Sequence, residues 1–263
     1  MDAVTSPIGV PAQPSRFADG WYAGARRWPI HPGRLGGTIT PKVSVVHTTD
    51  MAPGSMAALL RAWQASAGPG SGAHFLIGKV AAGAELAAPT GGLIQLAPIT
   101  RNANHAGGSP THGWYGGPLG SIHPNLVAVG IELDNAGYLR RHGPIDANHD
   151  QWVHPDSGYV IPTADVHVDE RGRGWERITP YQLATLGELL DTLAATLPGL
   201  DRRVSVIPNG TYIGNGVTWA AMPGTREVGH VTLDPTRKTD PGPQVMAWLR
   251  ARAMPDAARE LAT

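Results

Sequence analysis

The sequence predicts an α/β fold, a central mixed β-sheet with helices on its faces. The β-branched run "KVSVVH" (42–47) reads as a buried strand, and "AHFLIG" (73–78) and "LVAVGIEL" (126–133) read as further strands. Two other stretches repeat apolar residues at three- and four-residue steps: Met56, Leu59, Leu60 and Trp63, then Leu183, Leu186, Leu189, Leu190, Leu193 and Leu197. That spacing puts the side chains on one face of a helix. Strands and helices alternate along the chain, as they do where helices cover a sheet.

Each element follows from local signals. Residues 1–40 are rich in Gly, Pro, Arg and Trp and read as an extended arm packed by Trp21, Tyr22 and Trp28. Ser55 is placed to cap the first helix, and "GPGSG" (68–72) ends it. The segment 91–99 is expected to return beside the 73–78 strand. In 126–133, Val127, Val129, Ile131 and Leu133 alternate onto one face, leaving Ala128, Gly130 and Glu132 on the other. Small residues beside one carboxylate suggest a surface left open for something to approach. An ordinary solvated glutamate on an edge strand would give the same pattern. Residues 137–178 are polar with little periodicity and read as a surface insertion. Thr179-Pro180-Tyr181-Gln182 is a capping box with proline at the first helical position, and Pro198-Gly199 stops the helix it starts. A Gly/Asn-rich loop (208–217) follows, and Pro243 is expected to begin a closing helix through Trp248. No internal repeat is visible. This organisation amounts to an arm 1–40, one domain over 41–254 and a tail 255–263.

Composition narrows the function. The 263 residues include 34 glycines and 24 prolines, which is loop-rich but short of a disordered chain. Lys plus Arg and Asp plus Glu are 21 each, so no net charge favours nucleic acid or anionic lipid. With no cysteine, any metal site must use His, Asp and Glu. The first twenty residues lack an apolar block, and no run approaches a membrane span. A chain made in the cytoplasm, without membrane or nucleic-acid partners and acting as a monomer, is expected.

Chemistry concentrates in a few places. Of eleven histidines, His142, His149, His154 and His167 fall in the insertion, where a solvated surface side chain is the default. His47 ends a buried strand, where binding groups tend to sit, and is followed by Thr48-Thr49-Asp50. The segment "GHVTLDPTRKTDPGP" (229–243) holds His230, Lys238 and Asp240. Extended backbone before Pro241 would put Lys238 and Asp240 on the same side. His230 and Asp240, with His47 from a distant strand, make three ligands suited to zinc with a fourth position left for water. Asp-Pro-Thr-Arg and Asp-Pro-Gly are equally good turn formers, so spacing alone leaves both readings open.

In this order, "VVHTTD" (45–50), "AHFLIG" (73–78), "NANHAGG" (102–108), "VGIELDN" (129–135) and "GHVTLDPTRKTDPGP" resemble the type-2 zinc N-acetylmuramoyl-L-alanine amidases. That family includes bacterial muropeptide-recycling amidases, phage endolysins and animal peptidoglycan recognition proteins. The resemblance covers roughly 42–135 and 179–248, and implies the amidase fold with zinc as cofactor. It implies His47, His230 and Asp240 as zinc ligands and Glu132 and Lys238 as catalytic groups. Thr48, His74, Asn104 and His105 become candidates for substrate contact, with a structural role the alternative for His105. Asn104 stands where recycling enzymes commonly carry tryptophan.

The implied reaction is hydrolysis of the bond between N-acetylmuramic acid and L-alanine in peptidoglycan or a muropeptide, at the cell wall if lytic and in the cytoplasm if recycling. The arm, the insertion and Asn104 favour a lytic, endolysin-like enzyme. A recycling amidase, a non-catalytic peptidoglycan-binding module and a zinc peptidase acting within the stem peptide are the alternatives.

Overall fold

The computed structural model describes residues 16–52, 54–65, 71–80, 91–106, 123–142, 151–197, 227–229 and 240–253. At its centre is a six-stranded mixed sheet in the order β13–β4–β7–β5–β6–β3. Its strands are β3 (Arg26–Arg27), β4 (Val43–Thr48), β5 (Phe75–Ile77), β6 (Leu93–Gln95), β7 (Ala128–Leu133) and β13 (Glu227–Gly229). β13, β4, β7 and β5 run parallel, while β6 returns antiparallel to β5. Parallel central strands are covered on both faces, which is why β4 is buried along its whole length.

The two faces are built differently. α2 (Pro180–Thr196) and α3 (Pro243–Ala253) cover one, where Leu186, Leu189, Leu190, Leu193, Val245 and Leu249 meet Val46, Phe75, Ile77, Val129, Ile131 and Leu133. Each fully buried leucine contributes about 1.5–3 kcal/mol of transfer free energy. The expected capping box is formed, with Thr179 Oγ1 accepting from the Gln182 N–H and Gln182 Oε1 from the Thr179 N–H, both at 3.1 Å. α1 (Met56–Ala65) covers part of the other face through Met56, Leu60 and Trp63, which pack on Leu76, Ile94 and Leu96. The alternation along β7 therefore separates a leucine-packed face from the face that carries Gly130 and Glu132. β7 lies in mid-sheet between β4 and β5, so Glu132 is not on an edge strand.

The aromatic arm joins this sheet. A hairpin of β1 (Phe17–Ala18) and β2 (Trp21–Tyr22) precedes β3, which adds the edge strand beside β6. Gln95, fully buried, pins it: its Oε1 accepts from the Tyr22 N–H at 2.6 Å and its Nε2 donates to Gly20 O at 2.8 Å.

The insertion holds regular structure that the polar sequence did not suggest. β8 (Tyr138–His142), β9 (Gln151–Val153), β10 (Val160–Ile161), β11 (Val166–Val168) and β12 (Gly174–Glu176) form an antiparallel sheet in the order β10–β9–β8–β12–β11. Its strands are two to five residues long, too short to show a period. Leu139, Trp152, Ile161 and Val166 give it a small core, and the Trp152 ring lies where a Cβ on Gly174 would stand. Asn135 joins the two sheets, its Nδ2 donating to Glu176 O and Arg177 O at 3.3 Å.

Candidate metal and catalytic site

In-register parallel pairing of β4 with β7 puts His47 directly opposite Glu132, at the carboxyl ends of both strands. Open α/β sheets bind their ligands at such ends. Val46 and Ile131, one step back on each strand, lie in the leucine-packed core. Strand alternation then turns His47 and Glu132 together to the opposite face. His47 is 2% exposed, and Glu132 is half-buried.

Both nitrogens of His47 are engaged. Its Nδ1 lies 3.3 Å from Asp240 Oδ2, and its Nε2 lies 3.0 Å from His105 Nδ1. On its other side His105 Nε2 is 3.3 Å from the carbonyl oxygen of Ala128. A carbonyl only accepts, so His105 carries its proton on Nε2 and presents a lone pair at Nδ1. His47 then donates from Nε2, and its Nδ1 faces the Asp240 carboxylate. Either a proton or a bound cation at that nitrogen would satisfy the carboxylate. Two donors 3.3 Å apart also match the edge of a tetrahedron with bonds of about 2.0–2.1 Å. The donor set therefore fits zinc. Asp240 lies in a turn, and its side chain also reaches across to β4.

Gly130 makes the arrangement possible. A Cβ built there would lie 2.2 Å from His105 Cγ and 2.6 Å from its Nδ1. The approach anticipated on this strand face is thus made by the His105 ring, which the bare strand admits between His47 and His74.

The other sequence-derived candidates fall as follows. His74 is fully buried, accepts from the Gly130 N–H at Nδ1 (3.0 Å) and donates from Nε2 to Arg101 O (2.7 Å). Burial lowers its pKa to about 4, so it is a neutral strut between β7 and the 101–105 turn. Thr48 ends β4 and is buried at 6% exposure. Asn104 sits in the left-handed region at φ 42°, where asparagine is favoured over bulkier residues, and its N–H donates to Asn102 Oδ1 at 2.9 Å. His230 and Lys238 lie outside the described residues. His230 directly follows Gly229, which pairs with Val46 beside His47, and Lys238 is two residues before Asp240.

The insertion reaches the rim of the site. Gly242 packs on Trp175, where an added Cβ would stand 2.9 Å from the ring, and His154 Nε2 lies 3.7 Å from Asp50 Oδ1. His154 is 3% exposed, so the expectation of a solvated histidine does not hold for it. The fold of its hairpin buries it, and nothing local in the sequence signals that. His149 and the 208–217 loop lie outside the described residues. Among the described residues no helix is long and apolar enough to cross a membrane.

A model of the Amidase_2 family, described as N-acetylmuramoyl-L-alanine amidase, matches residues 37–243. The chain belongs to that family. No curated protein matches it. Among solved structures it is similar to a selenomethionine derivative of AmpD, at 20% identity and TM-score 0.47, over 90% of this chain and 98% of that one. It is also similar to the E. coli amidase AmiD in complex with the substrate anhydro-N-acetylmuramic acid-L-Ala-D-γ-Glu-L-Lys, at 23% identity and TM-score 0.45, over 83% of this chain and 61% of that one. The Clostridium intestinale endolysin LysCS aligns at 17% identity and TM-score 0.37, over 82% of this chain and 88% of that one.

Proposed function

We propose that the chain hydrolyses the amide between N-acetylmuramic acid and L-alanine in peptidoglycan, using zinc held by His47, His230 and Asp240. The observation that carries this reading is the His47 Nδ1–Asp240 Oδ2 separation of 3.3 Å, with the His47 tautomer set by His105. Bound there, zinc would supply Lewis acidity and lower the pKa of a bound water from 15.7 to about 7. Asp240 reduces the net charge of the centre, and His105 keeps the His47 lone pair on Nδ1. Glu132, beside His47 on the same sheet face, takes the proton from the attacking water and returns it to the departing alanine nitrogen. Lys238 places its ammonium against the oxyanion that develops on the amide oxygen, where one good donor is worth about 3–4 kcal/mol.

The substrate proposed is polymeric wall rather than soluble muropeptide. Two features support this. By the resemblance Asn104 stands where recycling enzymes commonly carry tryptophan, and a five-stranded insertion reaches the rim of the site through Trp175 and His154.

The test is digestion of purified sacculi. The expected products are new amino termini on alanine and free muramic lactyl groups. New termini elsewhere in the stem peptide would instead indicate a peptidase, and action on soluble anhydro-muropeptides alone would indicate recycling. Glu132→Gln is expected to retain zinc and lose most turnover, and an active Glu132→Gln protein would remove Glu132 from the chemistry.

A further inference from the structure

We propose a second divalent-cation site, built by Asp50, His154 and Asp156 at the rim of the catalytic site, which clips the insertion to the end of β4. It takes a first-row transition ion such as zinc.

The three residues come from two separate segments, the turn after β4 and the β9–β10 turn. One ligand atom from each lies within 4.8 Å of the other two. Proximity of exposed carboxylates would mean little alone. The independent observation is His154. It is 3% exposed, and its Nε2 is shut off from solvent with no hydrogen-bond partner. That nitrogen points at Asp50 Oδ1 across 3.7 Å, beyond hydrogen-bond reach. The same 3.7 Å suits two ligands of one ion, since bonds of about 2.0–2.2 Å would meet at roughly 115–135°.

The surroundings of His154 agree. Ser157 Oγ lies 3.0 Å from Nδ1 and can accept its proton, as a group behind a metal-bound imidazole does. The Ser157 N–H, 3.2 Å from Nδ1, competes for that nitrogen. If it wins, the proton moves to Nε2, a buried donor whose nearest carboxylate oxygen is 3.7 Å away. With a cation at Nε2 the proton stays on Nδ1 and goes to Ser157 Oγ.

Asp50 is exposed but lies against Gly137. Its backbone is left-handed at φ 52°, and a Cβ on Gly137 would stand 2.7 Å from its Oδ1. The carboxylates of Asp240 and Asp156 lie close enough to repel its charge, and His154 close enough to attract it. Surplus negative charge beside a buried imidazole is what a cation neutralises. One nitrogen and two carboxylates suit zinc or manganese better than calcium, which prefers oxygen throughout.

The test uses the full chain, freed of metal and dialysed against micromolar Zn2+, with elemental analysis of bound ion. Wild type is expected to hold two equivalents. His47→Ala and Asp156→Asn should each hold one, and the double variant none. Asp156 is exposed, so its replacement leaves folding intact. Hydrogen exchange supplies a readout independent of the catalytic ion: in His47→Ala, Zn2+ should slow exchange across 151–161 at least tenfold, and in the double variant it should not. One equivalent in wild type with none in His47→Ala would overturn the proposal. So would two equivalents in Asp156→Asn, or unchanged exchange in His47→Ala. Loss of the first equivalent in His47→Ala concerns the catalytic ligand set alone, so the two readings fail separately.

Discussion

Replacing Gly130 by alanine probes the geometry on which the catalytic reading depends. The added Cβ would lie 2.2 Å from His105 Cγ and 2.6 Å from Cδ2 and Nδ1. Ordinary carbon contacts begin near about 3.5 Å, so the ring must move by more than about 1 Å. A shift of that size breaks the 3.0 Å contact with His47 and the 3.3 Å contact with Ala128 O. Overpacking costs about 1–3 kcal/mol. A buried imidazole stripped of its partner adds about 1–3 kcal/mol. With the His47 tautomer no longer fixed, zinc affinity should fall about 10–100-fold. Urea melts and a chelator-competition titration measure the two effects.

The decisive comparison is a double-mutant cycle with His105→Ala. Removing the ring removes the clash, so the double variant should be more stable than the sum of the single changes by about 0.5–3 kcal/mol. Wild-type zinc affinity and stability in Gly130→Ala, or strict additivity in the cycle, would refute the cradle argument.

Other expectations rest on single features. Asp134, buried at 5% exposure, has its carboxyl pushed from 3.8 up to about 6 by burial, with Lys79 opposing and Glu176 adding repulsion. The folded state binds the extra proton between those values, so stability should fall as pH rises from about 4 to 6, by up to about 3 kcal/mol. Asp134→Asn should therefore stabilise the protein at pH 7 and add nothing at pH 4 in denaturant melts. Equal effects at both pH values would contradict it. Thr179→Ala removes the cap of α2 and should cost about 0.5–2 kcal/mol by the same assay. Gly242→Ala forces a side chain onto φ +84° and against Trp175. It should cost about 1–3 kcal/mol and weaken zinc binding through Asp240, two residues away. Unaltered melting and metal affinity would show that this junction does not support the site.

Legibility followed the range of the interactions. α2 could be read whole, because a capping box and a leucine stripe act within a few residues of themselves. β7 could be read because alternation is local, although its small-residue face left both an approach and a solvated edge glutamate open. What approaches could not be read, since His105 and Gly130 meet only when β7 is laid against the 101–105 turn. The insertion strands were missed because each contributes one or two apolar residues, and its core exists only once five of them pair. His154 looked like a surface histidine for the same reason, as its burial comes from the hairpin around it.

By itself the sequence determined the alternation of strand and helix, the stop and start of α2, and the set of residue types able to hold a metal without cysteine. Tertiary structure alone decided that Asp240 faces Nδ1 of His47, that His105 contacts its Nε2, and that Asp50 lies near His154. The physical reason is that backbone propensity and amphipathic spacing are encoded within one turn or one strand. A proton's place on an imidazole, by contrast, depends on acceptors brought from distant parts of the chain to within about 3 Å.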